Sequence, residues 1–398
     1  MPGMEYFGDE EKKEVLDVLE STCLFRYNHE HLRNDMWKAK ELEEEVKSFT
    51  GASYAHAVSS GSAAVSCTLA AAGIGYGDEV IVTPFTYIAT IEGVIAAGAL
   101  PVFAEIDETL CLSAEGIKKA MTPNTKAVML VHMCGAAANM DAIMDVVNEN
   151  NLILVEDAGQ ALGAFYKGKS VGLFGVAGAY SFDFFKITTA GEGGLCVTND
   201  ESRYHIMEQF SDHGHTHVGD NRGMEDHPIL GANFRISELH AAVGLAQMRK
   251  VDTIRKDKLA NKAIIKDALS QVEGVSFRHM DDPEGDSGTF LNFFLPNTEK
   301  AQEVMKQFAE DGIGGCNYWY TNMYHFINQW DHVKELRTPW KLPIHELGAP
   351  QDYKNLDLPK SQEVVGKLIS LGVRGTWSAD EAAELGAKMV QSIQKVLG

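Results

Sequence analysis

Between Tyr54 and Phe182 the chain repeats one pattern: a short, almost wholly apolar run followed by a longer amphipathic or alanine-rich stretch. The apolar runs are Tyr54–Val58, Glu79–Phe85, Leu100–Glu105, Ala127–Met133, Leu152–Asp157 and Ala177–Phe182. Helical patterns occupy Ala63–Gly73, Ile88–Gly98, Glu115–Met121 and Met140–Asn148. Strands that are apolar at nearly every position are buried on both faces, and strands joined through helices run parallel. The alternation therefore predicts an α/β domain built on a mostly parallel sheet with helices on both sides.

From Ser237 a long amphipathic helical pattern leaves that domain, with room for one break. Beyond it, VSFRHM and TFLNFFLP read as antiparallel strands, Glu299–Gly312 as a helix, and the C-terminal stretch as a helix capped by Ser378. A chain of 398 residues exceeds one ordinary core. The expected division is a large α/β domain over 1–249, including the N-terminal segment, and a smaller α+β domain over 250–398.

Charge narrows the partners. With 35 basic and 56 acidic residues the net charge is -21, which disfavours nucleic acid and anionic membrane surfaces. The longest apolar stretch, Val80–Phe103, contains Pro84, Glu92 and Pro101, so it reads as strand plus helix and not as a membrane span. The six cysteines are scattered without a CxxC pair, and the N-terminus has no apolar signal core. Reduced core cysteines and a cytoplasmic location are the expectation.

Ligands of parallel sheets gather beyond the carboxyl ends of the strands, and three strand ends carry suggestive residues. Tyr54–Val58 runs into Ser59-Ser60-Gly61-Ser62 and a helix, which is either an anion site of free N–H groups and hydroxyls or simply a capped turn. It is not a Walker motif, because no lysine follows the glycine. Asp157 ends a buried strand, with Gln160 three residues on. A carboxylate there needs a cation: a protonated pyridine nitrogen, an arginine, or else a helix to cap. The stretch AYSFDFFKITTAGEGG supplies the hydroxyl of Ser181, the amine of Lys186 and a glycine turn. That lysine either snorkels past its aromatic neighbours or is held dry by Phe182, Phe184 and Phe185 so that it can react. Together a phosphate site, a carboxylate for a ring nitrogen and an imine-forming lysine fit pyridoxal 5'-phosphate.

The motifs resemble those of the DegT/DnrJ/EryC1/StrS family of sugar aminotransferases over nearly the whole chain. SSGSAAV resembles its phosphate turn, which implies cofactor contacts from Ser60, Gly61 and Ser62. TPFTYIAT resembles the segment whose aromatic residue, here Tyr87, stacks on the cofactor ring. VEDAGQALGA carries over Asp157 to the ring nitrogen and Gln160 to the cofactor's hydroxyl side. YSFDFFKITTAGEGG carries over Ser181 to the phosphate and Lys186 to the Schiff base, and GANFRISE carries over Asn233 to the phosphate of a neighbouring subunit. The resemblance thus implies the type I, aspartate aminotransferase-like fold with a seven-stranded, mostly parallel sheet, and a homodimer with shared sites. Ser62 and Gly159 depart mildly from the family pattern. Lys186 argues against the branch that has histidine there and eliminates water.

FRYN, FAEIDETLCLS, LVHMCG, FSDHGHTH, HPILGANFRISE and YWY resemble one branch more closely. That branch aminates the 8-oxo form of a 3,8-dideoxy-manno-octulosonate with L-glutamate, for lipopolysaccharide. A nucleotide-linked keto-sugar aminotransferase is the rival enzyme, and a cofactor-binding regulator the rival of another class. Both proposed substrates carry carboxylates, so Arg26 and Arg222 are the candidate substrate-binding residues, and Arg235 is a brace for the Asn233 loop. His213, His215 and His217 alternate as metal ligands would, but the reaction needs no metal and no metal site is expected. Substrate hydroxyl contacts or loop packing suit them better.

Overall fold

The computed structural model describes residues 3–219 and 221–398. Seven strands form the main sheet: β1 (Tyr54–Val58), β2 (Glu79–Val82), β3 (Leu100–Phe103), β4 (Thr125–Val131), β5 (Ile153–Asp157), β6 (Ala177–Ser181) and β7 (Gly194–Thr198). Their order is β1-β7-β6-β5-β4-β2-β3. Only β7 runs against the others, pairing antiparallel with both β1 and β6. The apolar runs do not signal β7 separately, since its LCVT follows directly on the glycine turn. Gly194 is required there: a Cβ would sit 2.1 Å from the carbonyl oxygen of Ser60.

Every residue of β2, β3, β6 and β7 is buried, as strands covered on both faces must be. Val80, Ile81, Val128, Met129 and Leu130 are fully enclosed in one core, and Leu42, Val46, Tyr180, Leu195 and Leu245 in a second on the other face. The expected long helix breaks at Arg249–Lys250 into Glu238–Met248 and Val251–Leu269. The N-terminal helix Asp9–Ser21 is pinned at that break. There Gln247 Nε2 and Lys250 Nζ each donate to Glu11 Oε1 over 2.7 Å.

A second sheet is antiparallel, with β8 (Ser276–Phe277), β9 (Phe290–Phe294), β10 (Cys316–Asn317) and β11 (Leu368–Gly372) in the order β8-β9-β11-β10. Helices Thr298–Glu310 and Ala379–Leu397 enclose its core, and Ser378 caps the latter by accepting from Glu381 N. Between β10 and β11 the chain returns to the main sheet. Phe326 and Trp330, both fully buried, join the core of Val80 and Phe103, and Phe326 bridges Phe85. A proposed division at 249/250 thus parts the two sheets but not their cores. This return lets residues after 315 reach the ends of the main strands. All six cysteines are free, five of them buried. Among the described residues no helix is long and apolar enough to cross a membrane.

Candidate active site

The ends of β1, β5 and β6 open into a cavity of about 530 Å³. Ser60, Gly61, Ser62, Tyr87, Asp157, Gln160, Ser181 and Lys186 all line it, so eight residues scattered through the sequence meet in one place. Val131, Leu162, Ile187, Phe290 and Trp319 supply much of the apolar wall.

Ser60 is the N-cap of helix Gly61–Ala71, its hydroxyl accepting from Ala63 N at 3.1 Å. The first N–H groups of a helix have no partner within it, and the helix dipole places positive charge there. Ser181, the last residue of β6, lies against this terminus. A Cβ on Gly61 would come within 2.8 Å of Ser181 Oγ. The missing side chain leaves a cradle of N–H groups and hydroxyls suited to a phosphate.

Asp157 ends β5 and makes no salt bridge among the described residues. Its Oδ2 accepts from Thr90 Oγ1 at 2.7 Å and its Oδ1 from Gly159 N at 2.9 Å. Thr90 in turn contacts Thr86 Oγ1 at 2.9 Å. The carboxylate is oriented and lacks a structural cation, which suits it to a protonated ring nitrogen. Gln160 Oε1 accepts from Cys134 N at 3.2 Å.

Lys186 is half-buried in the turn after β6. Burial pushes its ammonium below the ordinary lysine value, and the charges of Asp183 and Asp157 oppose that. Of the three phenylalanines only Phe182 is enclosed: in the turn over 183–186 Phe184 is 43% and Phe185 61% exposed, and Phe185 still lines the cavity. The expectation of a three-phenylalanine sleeve is corrected in that respect.

The C-terminal segment completes the wall with Asn317, Trp319, Asn322, Tyr324 and His325; of these the sequence singled out only Trp319, within the branch-like YWY. Thr86 N donates to the carbonyl of His325, and Ile88 N to that of Tyr324, each over 3.0 Å. Tyr87 lies beside the His325 ring, centroids 5.5 Å apart. The aromatic run NYWYTNMYHF is the one signal in the sequence for this wall.

Arg26 is not a substrate residue. It is 3% exposed, its guanidinium pairing with Glu43 at 2.7 Å and donating to the carbonyl of Ala57 at 2.5 Å. Glu43 stands in the inward stripe of helix Lys38–Thr50, beside Leu42 and Val46, and holds the arginine inside. Arg222 lies outside the cavity of its own chain and binds both oxygens of Asp212, at 2.9 and 3.0 Å. Arg235 joins the same carboxylate. That makes it a brace for the loop, as expected.

Asn233 is exposed and outside the cavity, its Oδ1 accepting from Arg235 N at 3.4 Å. The three histidines diverge. His217 Nε2 meets Asp212 Oδ2 at 2.8 Å, with its ring stacked on Tyr27 at 4.1 Å. His215 Nδ1 meets Glu225 Oε2 at 3.0 Å, and His213 is held through its backbone. Loop packing accounts for them.

The family model of the DegT/DnrJ/EryC1/StrS aminotransferases matches residues 7–340. The spore coat polysaccharide biosynthesis protein SpsC of Bacillus subtilis is 36% identical over 386 residues, covering 95% of this chain and 93% of that protein. The GDP-perosamine synthase of Vibrio cholerae is 36% identical over 273 residues, 68% of this chain and 71% of the relative. Several other curated relatives are spanned over little more than half their length, as with 56% of the GDP-perosamine synthase of Caulobacter vibrioides. Among solved structures, the aminotransferase from Psychrobacter cryohalolentis superposes with a TM-score of 0.82 at 28% identity, over 98% of this chain and 97% of that one. The fold is that of the type I pyridoxal-phosphate-dependent transferases.

Proposed function

We propose a function from one premise: the chain belongs to the DegT/DnrJ/EryC1/StrS aminotransferase family and is a pyridoxal-phosphate-dependent aminotransferase. On that premise we propose that it moves an amino group from L-glutamate to the carbonyl of an oxo-sugar, with 3,8-dideoxy-8-oxo-manno-octulosonate as acceptor and lipopolysaccharide assembly as the use of the product.

One observation carries the chemistry. A lysine whose ammonium is disfavoured by burial shares a cavity with an unpaired, oriented carboxylate and an anion-binding helix terminus. When bound, the cofactor supplies an electron sink for the carbon that loses a proton. The N-terminus of Gly61–Ala71 and the Ser60 and Ser181 hydroxyls would hold its phosphate. Asp157, fixed by Thr90, would keep its ring nitrogen protonated, and Tyr87 would cover the ring. The Lys186 amine would take the proton from the α-carbon of the donor and hand it to the cofactor in the first half, then make the reverse transfer, to the carbon of the acceptor that gains the amino group, in the second. Holding that base in place removes the cost of bringing it there.

The acceptor reading rests on the branch-like segments, several of which pack together: Tyr27 of FRYN stacks on His217 of FSDHGHTH. Asn233 is exposed, and Leu230, Met224 and Val218 in the stretch of chain before it are 94%, 83% and 76% exposed. That apolar rim supports a homodimer in which Asn233 completes the phosphate site of the partner subunit. A nucleotide-linked keto-sugar is the second acceptor, supported by the GDP-perosamine synthases among the relatives.

The test is a single-turnover assay. Holoenzyme converted by L-glutamate to its amino form is challenged with the 8-oxo-octulosonate and separately with GDP-4-keto-6-deoxymannose, and recovery of the starting visible spectrum is followed. Recovery with the octulosonate alone supports the proposal. Recovery only with the nucleotide sugar replaces the acceptor.

A further inference from the structure

His325 enters the cavity from the C-terminal segment, and its hydrogen bonds fix which ring nitrogen carries the proton. Asn322 Oδ1 accepts from Tyr324 N at 3.0 Å. A backbone N–H can only donate, so the atom facing it is the carboxamide oxygen and not the nitrogen. The same oxygen lies 2.9 Å from His325 Nδ1, which must therefore be the protonated nitrogen. Nε2 is left as a bare acceptor with no hydrogen-bond partner among the described residues, on a ring that lines the cavity.

The ring is also held in orientation. Trp319 lies against it with centroids 4.6 Å apart, and Tyr87 at 5.5 Å. Trp319 is itself anchored by Nε1 donating to Ser370 Oγ at 2.7 Å. Burial, reinforced by the Lys186 charge, brings the imidazole down to about 4, so the ring is neutral at physiological pH.

A neutral acceptor on a wall of the site selects for donors. It attracts a hydroxyl, which an oxo-sugar offers in number and L-glutamate lacks, whereas a carboxylate, which both proposed substrates carry, gains nothing there. We propose that His325 Nε2 accepts a hydrogen bond from a hydroxyl of the sugar substrate and so discriminates the amino acceptor from the amino donor, with Asn322 as the positioning residue that sets its tautomer. This rests on the proposed oxo-sugar reading. The tautomer itself does not.

Two measurements separate the parts. Nitrogen-15 NMR of the imidazoles at neutral pH, with His325 identified by loss of its signals in His325→Phe, is expected to show the Nδ1–H form. In Asn322→Ala that form is no longer enforced and the signals move, while Asn322→Asp, which keeps an acceptor oxygen, restores it. An Nε2–H form in the wild type overturns the proposal whatever the acceptor is.

Single-turnover kinetics then compare the two halves of the reaction in His325→Phe, which keeps the aromatic packing. With the 8-oxo-octulosonate, or with GDP-4-keto-6-deoxymannose if only that turns over, the acceptor half is expected to lose about tenfold more than the L-glutamate half. Equal losses in both halves overturn it. Failure of both sugars with the wild type would instead strike the oxo-sugar reading, and with it the assignment of the partner of Nε2.

Discussion

Thr90 Oγ1 donates to Asp157 Oδ2 over 2.7 Å and contacts Thr86 Oγ1 at 2.9 Å, so the carboxylate at the end of β5 is aimed by a hydroxyl from the helix after β2. Thr90 is 1% exposed, and valine has nearly its shape. Thr90→Val removes one hydrogen bond to a charged acceptor, worth about 1.5 kcal/mol. Cofactor affinity, read by titrating the apoenzyme with pyridoxal phosphate, is expected to fall about tenfold. Unchanged affinity would show that Asp157 needs no such support.

Gly61→Ala tests the phosphate cradle. The new methyl group would sit 2.8 Å from both Cβ and Oγ of Ser181, so the serine must leave its place. Overpacking of this kind costs about 1–3 kcal/mol. The loss is expected in cofactor affinity, by about tenfold or more, with the fold retained by circular dichroism.

Arg26→Met distinguishes a structural arginine from a substrate arginine. Removal of the guanidinium leaves Glu43 buried without its cation, and burial already raises that carboxyl. A broken buried pair costs about 3–5 kcal/mol, visible in urea unfolding. The KM for L-glutamate is expected to change by less than about twofold. A large rise in KM with unchanged stability would return Arg26 to the substrate.

These three cases also show what was legible in the sequence. Asp157, Ser181 and Lys186 were readable because a strand end fixes where its last residues point, and a parallel sheet gathers such ends. The roles of Thr90, Asn322 and His325 were not, because they reach the cavity through pairings such as Thr86 N to the His325 carbonyl, between segments far apart in sequence. Local periodicity carries no trace of such contacts. Arg26 misled for a related reason: its fate is decided by Glu43, which lies on the buried side of its helix beside Leu42 and Val46. Phe184 and Phe185 lie beyond the strand, in a turn that leaves them exposed, and an apolar residue type alone does not show on which side of a turn it falls.

Two neutral histidines set the acid side of the stability profile. Burial brings His325 down to about 4 and takes His56, fully enclosed, well below the ordinary imidazole value. Just below that ordinary value the unfolded chain binds protons at both residues and the folded chain does not. Stability is therefore complete at neutral pH and declines as pH falls toward about 4. Urea midpoints at about pH 7 and about pH 5 should differ in that sense, and His325→Phe should narrow the difference. A midpoint that rises on acidification would contradict the buried, neutral state of these rings.

That Lys186 is the reacting amine of this cavity is tested by the visible spectrum of cofactor-loaded wild type and Lys186→Ala on addition of L-glutamate. The wild type should convert fully to the amino form of the cofactor. Lys186→Ala, which keeps Asp157 and the phosphate cradle, should still bind the cofactor yet convert at least about a thousandfold more slowly. Conversion by the variant at a rate near that of the wild type would mean that another group moves the proton.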